Sequence, residues 1–336
     1  MDKLQNRTIG RAARAGAGLV MAVLAATLTI FGATTPVAAQ GLPLIRDTEI
    51  ENLLNDYARP IFKAAGLGEG RVAVRIVRSD IFNAFVLDGR NVFIHTGALM
   101  QAETPNQIIG VIAHEAGHIA GGHLAALRSR IARDQTRALL IRMLGLGVAI
   151  ATGAGEAVFA GDELIMRSLL AERRSQEAAA DQAGLRYLNA TRQSGRGMLE
   201  TFERFAQQEY VSDKYKDPFV RSHPVASDRL ARLRELVESS PYYHAKDPPE
   251  LQLRHDMMRA KLAGYLERPQ VVFNRYPRSD TSLPARYARA IATFMQGGQN
   301  ALPAALQQVD ALIRERPDNP YFYELKADFL TRSGKS

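Results

Sequence analysis

The chain contains no cysteine. That absence excludes disulfides, thiolate metal sites and a cysteine nucleophile, so any chemistry must rest on nitrogen and oxygen groups. Charge is not gathered in one place either. The formal net charge is +8, but arginine and lysine are interleaved with acids rather than drawn into a stripe. A solvated basic surface is therefore expected, and nucleic acid is not an expected partner. With 46% hydrophobic and 23% charged residues, the composition is that of an ordinary globular protein, neither disordered nor polytopic in a membrane. Its 336 residues suffice for one large domain or two modest ones.

The first segment reads as an address rather than as structure. Lys3, Arg7, Arg11 and Arg14 form a basic head, followed by the apolar run AGLVMAVLAATLTIFGA from Ala17 to Ala33. Small residues at Val37 and Ala39 offer cleavage before Gln40, which favours a secretory signal peptide over residues 1–39 rather than an uncleaved anchor. The head has no adjacent arginine pair, and no cysteine follows the apolar run to carry a lipid.

Beyond it the hydrophobic periods alternate. Ile50, Leu53, Leu54, Tyr57 and Ile61 recur at helical spacing within 47–66. RVAVRIV, NAFVLD and NVFIHTG read as three short strands, the last two joined as a hairpin at Asp88-Gly89. Thr104-Pro105 opens a helix, and further helices are expected over about 162–188 and 198–208. The fold class expected is α+β, mostly helical, with a small sheet.

The chemistry sits in VIAHEAGHIAGGHL, residues 111–124. His114 and His118 are four apart, so on a helix both rings leave one face and can hold one metal ion. Glu115 lies about 100° round the helix, where it can deprotonate a water. Small apolar neighbours mark the helix as buried, and burying these polar groups without a metal would be costly. A hydrolytic zinc site needs a third protein ligand. His123 is one residue short of the metzincin position and, on a continuing helix, points away. The better candidate is SQEAAADQAG, 175–184, where Glu177 and Asp181 share a helical face. Glu177 could ligate, and Asp181 could accept a hydrogen bond from a ligand imidazole and fix its tautomer.

HEAGH followed by ExxxD after about sixty residues resembles the gluzincin metallopeptidases, specifically the HtpX and CAAX-prenyl-protease group. Asn83-Ala84-Phe85, Gly89, Val92-Phe93-Ile94 and Thr96-Gly97-Ala98-Leu99 are similar to a second block of that family, and Ser222-His223-Pro224 with Arg229 to a third. Asp88 and His95 depart from it, where the family usually has Pro and Asn. The signal peptide and helical tail resemble its soluble periplasmic, BepA-like branch.

The resemblance implies a zincin-type metallopeptidase domain over 40–240 binding one Zn2+, with His114, His118 and Glu177 as ligands and Glu115 as base. It implies that Asn83, Ala84 and Phe85 border the cleft as an edge strand that binds substrate. His223 would stabilise the oxyanion or occupy the fourth metal position, unless it is merely a loop residue. Asp181 would orient a ligand, and Arg229 would pair with an acid near the zinc, unless it merely sits on a helix surface. The apolar stretch 138–160 would be a lid, a membrane-surface contact, a client-binding loop or a buried hairpin. After a linker at 241–250, residues 251–336 resemble tetratricopeptide repeats, or form a plain helical cap. The implied protein is an exported zinc endopeptidase of the periplasm, acting on misfolded or stalled envelope proteins, in particular unfolded outer-membrane proteins. Its repeats would reach the outer-membrane assembly machinery. The alternative is a chaperone or assembly factor with latent proteolysis. A purely structural zinc domain is disfavoured, because it has no need of Glu115.

Overall fold

The computed structural model describes residues 42–135, 160–206 and 218–334. The expected signal peptide, most of the apolar stretch 138–160, and residues 207 and 208 of an expected helix lie outside these. Among the described residues no helix is long and apolar enough to cross a membrane.

Strand β1 (Leu44–Ile45) leads into helix α1 (Thr48–Ala64). Asp47 caps that helix by accepting from the Ile50 backbone N–H, and Glu49 and Glu51 occupy its first turn, where carboxylates suit the helix dipole. The apolar positions read from the sequence are all buried. Strands β2 (Ala73–Val77), β3 (Ala84–Val86) and β4 (Asn91–His95) follow. The sheet order is β1-β2-β4-β3, with β2 and β4 parallel and the other pairs antiparallel, so β3 is an edge. Asp88, standing where the family usually has Pro, closes the β3–β4 hairpin itself. Its Oδ1 accepts from the Arg90 and Asn91 backbone N–H groups, while Gly89 takes the left-handed conformation at φ +72°.

Helix α2 (Thr96–Gln101) leads to α3 (Pro105–Ala120), which carries HEAGH. Every residue of α3 from Pro105 to Gly117 is buried, as expected for a helix apolar on nearly all faces. A helix α4 covers 123–135. Next come α5 (Ala160–Ala190), α6 (Arg196–Ala206), α7 (Pro218–Ser222) and α8 (Ser227–Glu238). Glycines let α3 approach its neighbours without side chains between: a Cβ at Gly117 would lie 2.7 Å from the Ala180 carbonyl oxygen of α5, and one at Gly110 2.7 Å from the Met198 backbone of α6. Gly184 of α5 answers from the other side against Ala113.

The remaining helices are α9 (Pro249–Leu266), α10 (Pro269–Arg275), α11 (Leu283–Gly297), α12 (Leu302–Glu315) and α13 (Pro320–Arg332). Turns occupy 241–244, and α9 then joins two apolar cores. Met258 and Leu262 belong to the core around α3, whereas Met257 and Ala260 belong to the core of the last helices. Polar contacts reinforce the junction. Buried Lys261 of α9 pairs with Asp47 at 2.8 Å and Glu49 at 3.0 Å, and Tyr287 of α11 donates to Glu49.

His255 of α9 is fully buried, with Nδ1 3.0 Å from the Tyr57 hydroxyl and Nε2 2.9 Å from the Ala102 carbonyl. Both contacts suit a neutral ring that donates from Nε2 and accepts at Nδ1. Burial lowers its pKa to about 4. The unfolded chain therefore takes up this proton first as pH falls. The stability that the neutral ring contributes is complete above about pH 6.5 and is lost as pH falls toward 4, by about 3 kcal/mol at most. Urea unfolding of wild type and His255→Gln across this window should show the variant with a shallower pH dependence by that order; equal slopes would refute the assignment.

Candidate metal centre

Two helices build the centre face to face. From α3, His114 and His118 project one turn apart, and from α5 Glu177 faces them. The loop after α7 brings His223 over the top. One donor atom from each of His114, His118, Glu177 and His223 lies within 4.8 Å of the others. His114 Nε2 is 3.0 Å from His118 Nε2 and 3.2 Å from His223 Nδ1. Glu177 Oε2 is 3.4 Å from His114 Nε2 and 3.2 Å from His223 Nδ1, and Glu177 Oε1 is 3.4 Å from His118 Nε2.

These residues fit a zinc ion on two grounds. Ligands about 2.0–2.1 Å from a tetrahedral centre stand about 3.3–3.4 Å apart, close to the spacings seen here. The charge also calls for a dication. Glu115, Glu177 and Asp181 are all buried, and among the groups of this cluster Arg229 is the buried cation. With the imidazoles neutral, as ligation requires, three carboxylates against one guanidinium leave two negative charges for a dication to offset; without a metal, His114 holds an extra proton instead.

The surrounding groups fix the donors. Asp181 Oδ1 is 2.9 Å from His114 Nδ1, so the carboxylate accepts a hydrogen bond from Nδ1–H and leaves Nε2 facing the centre. Arg229 in turn grips Asp181 with two nitrogens, approaches Glu177 Oε2 at 3.0 Å, and lies 4.8 Å over the Phe202 ring. Burial alone would lower the His114 imidazole, but Asp181 and Glu177 outweigh it and push it up to about 9. For His118 burial prevails and lowers it. Burial would raise the two carboxyls. His223 with the other imidazoles holds Glu177 well below its ordinary value, and Arg229 lowers Asp181.

Glu115 is 1% exposed and turns its Oε1 toward His223 Nε2 at 3.2 Å, yet that oxygen makes no hydrogen bond among the described residues. A buried carboxylate oxygen without a donor is costly and marks a place that expects one. The edge strand also meets the centre. The Ala84 carbonyl lies 3.2 Å from His223 Nε2, and Asn83 Oδ1 accepts from Ser222 beside it. Phe85 lies on the sheet's other face, its ring stacked on Phe93 at 5.3 Å. His95 packs edge-on against Phe85.

His123 corrects one expectation. It is absent from the four-donor group, but it does not point away: α3 stops at Ala120, and the turn at Gly121-Gly122 returns the ring to 3.0 Å from His118 Nδ1. The reading that assumed a continuing helix missed this contact, although the paired glycines were the signal for it.

The arrangement is that of a metallopeptidase centre, with imidazole and carboxylate donors and a buried acid beside them. Residues 45–237 match the model of peptidase family M48, and the chain belongs to that family of zinc-dependent metalloproteases. It is 23% identical over 300 residues to the beta-barrel assembly-enhancing protease of Escherichia coli K12, covering 85% of this chain and 59% of that protein. A Vibrio cholerae relative is 24% identical over 295 residues, covering 85% and 60%. Metalloprotease LoiP of Escherichia coli K12 is 26% identical over 157 residues, covering 47% of this chain and 59% of its own length. The chain thus spans about three-fifths of the length of these relatives.

Removing the carboxylate donor should cost the metal. By elemental mass spectrometry the purified wild-type chain is expected to carry about one zinc, and Glu177→Ala far less after dialysis. Full retention in the variant would remove Glu177 from the ligand set.

Proposed function

We propose that this chain is an exported, periplasmic zinc endopeptidase that hydrolyses peptide bonds in misfolded or stalled envelope proteins. The observation that carries this reading is Glu115, a buried acid without a hydrogen-bond donor on Oε1, set beside the four-donor group. In this reading His114, His118 and Glu177 hold the zinc, which when bound lowers the pKa of water and polarises a carbonyl. Glu115 takes the proton of the attacking water and passes it to the leaving amine. Asp181 and Arg229 keep His114 in the tautomer that presents Nε2. An extended substrate lies along β3, where an antiparallel ladder turns alternate N–H and C=O groups outward. Asn83 accepts from His95 across the ladder, which makes Ala84 and Val86 the outward pair.

The relatives named for beta-barrel assembly support outer-membrane proteins as the clients, and an assembly complex as a partner of the last helices. The signal-peptide pattern supports the periplasm, and the apolar stretch at 138–160 supports a peripheral membrane or client contact. A second reading, client holding with latent proteolysis, is favoured by one observation: His223 Nδ1 fills the fourth donor position that a hydrolytic site leaves open for water.

Glu115→Gln should lower hydrolysis of a fluorescent unfolded polypeptide by at least about 100-fold while retaining zinc. Undiminished hydrolysis would exclude Glu115 as the base. His223→Ala separates the two readings, since faster hydrolysis indicates a latent site and slower hydrolysis an oxyanion role for His223.

A further inference from the structure

We propose that His123 is the positioning residue for His118, holding its ring by accepting the Nδ1 proton so that Nε2 stays turned to the metal position. This rests on the reading of His118 as a ligand. The argument begins with the backbone. Helix α3 closes at Ala120, Gly121 remains in the helical region at φ −74°, and Gly122 turns left-handed at φ +63°. An L-residue at 122 would be strained, and without that turn residue 123 would continue along the helix and away from His118.

The turn returns the His123 ring against the last helical turn. Its Nδ1 comes to 3.0 Å from His118 Nδ1, with ring centroids 5.0 Å apart and planes 81° apart. The opposite nitrogen of His118, Nε2, is the one that faces His114 and Glu177. A neutral imidazole that offers the Nε2 lone pair carries its proton on Nδ1, and that proton needs an acceptor. Among the described residues, His123 Nδ1 is placed to accept it.

Position 121 carries the same requirement. A Cβ there would lie 2.4 Å from His123 Nε2 and 2.8 Å from its Cδ2, so the ring is seated on the bare Cα of Gly121. The two metal-facing histidines of α3 are therefore held differently. His114 rests on a carboxylate that Arg229 fixes in place, whereas His118 rests on an uncharged ring at the mouth of α4.

Zinc affinity of the full chain, measured by competition with a chromophoric chelator, tests this alongside the unfolding midpoint of the metal-free protein. His123→Leu removes the acceptor, and Gly121→Ala displaces the ring while keeping an allowed backbone. Each is expected to weaken zinc binding about 10–100-fold, with the metal-free midpoint unchanged. His123→Asn, whose Oδ1 can occupy the place of Nδ1, is expected to restore most of the affinity. Wild-type affinity in His123→Leu, alongside lost affinity in His118→Ala, would overturn the proposal. So would failure of His123→Asn to rescue together with a lowered metal-free midpoint in His123→Leu, which would mark a packing role. Wild-type affinity in His118→Ala would instead sink the metal-site reading, and this inference with it.

Discussion

Uncompensated buried charge is the constraint on which this fold turns. Three buried carboxylates, Glu115, Glu177 and Asp181, gather around the same imidazoles and guanidinium between α3 and α5, where water cannot solvate them. Their charge is met from two directions, by Arg229 on the Asp181 side and by a cation drawn to the imidazoles on the other. Everything nearby serves that balance. Gly117 and Gly184 bring the two helices close enough for imidazole and carboxylate to meet, and Phe202 gives the guanidinium and His114 a common wall. A looser helix pair would admit water to the carboxylates and lose the narrow donor spacing.

Much of this was legible in the residues because the relevant periods are local. The four-residue spacing of His114 and His118, and of Glu177 and Asp181, maps directly onto one helical face, so each pair could be placed before any contact was known. The small residues of 178–184 likewise announced a close helix approach. The strands were legible as short β-branched and aromatic runs, with a turn at Asp88-Gly89 between the last two.

What escaped the sequence depended on the backbone leaving its period. His123 was assigned a direction by extending α3, and the direction changed because the helix ended three residues earlier. The extra strand at Leu44–Ile45 is too short to show alternation, and it exists because β2 offers it an edge. The ties between distant segments were equally invisible. Nothing in the spacing of Glu49, Lys261 and Tyr287 says that they meet, and His255 gave no sign that it would be buried against Tyr57.

The family match ends at residue 237, yet the first core does not. Helix α9, beginning at Pro249, supplies His255, Met258 and Leu262 to the side of α3, and Met257 and Ala260 to the helices beyond. A single rod with opposite faces in two interiors makes the two regions one cooperative unit rather than beads on a string. The last helices and the peptidase core thus share one rod. The boundary that resemblance marks therefore falls inside a continuous apolar core.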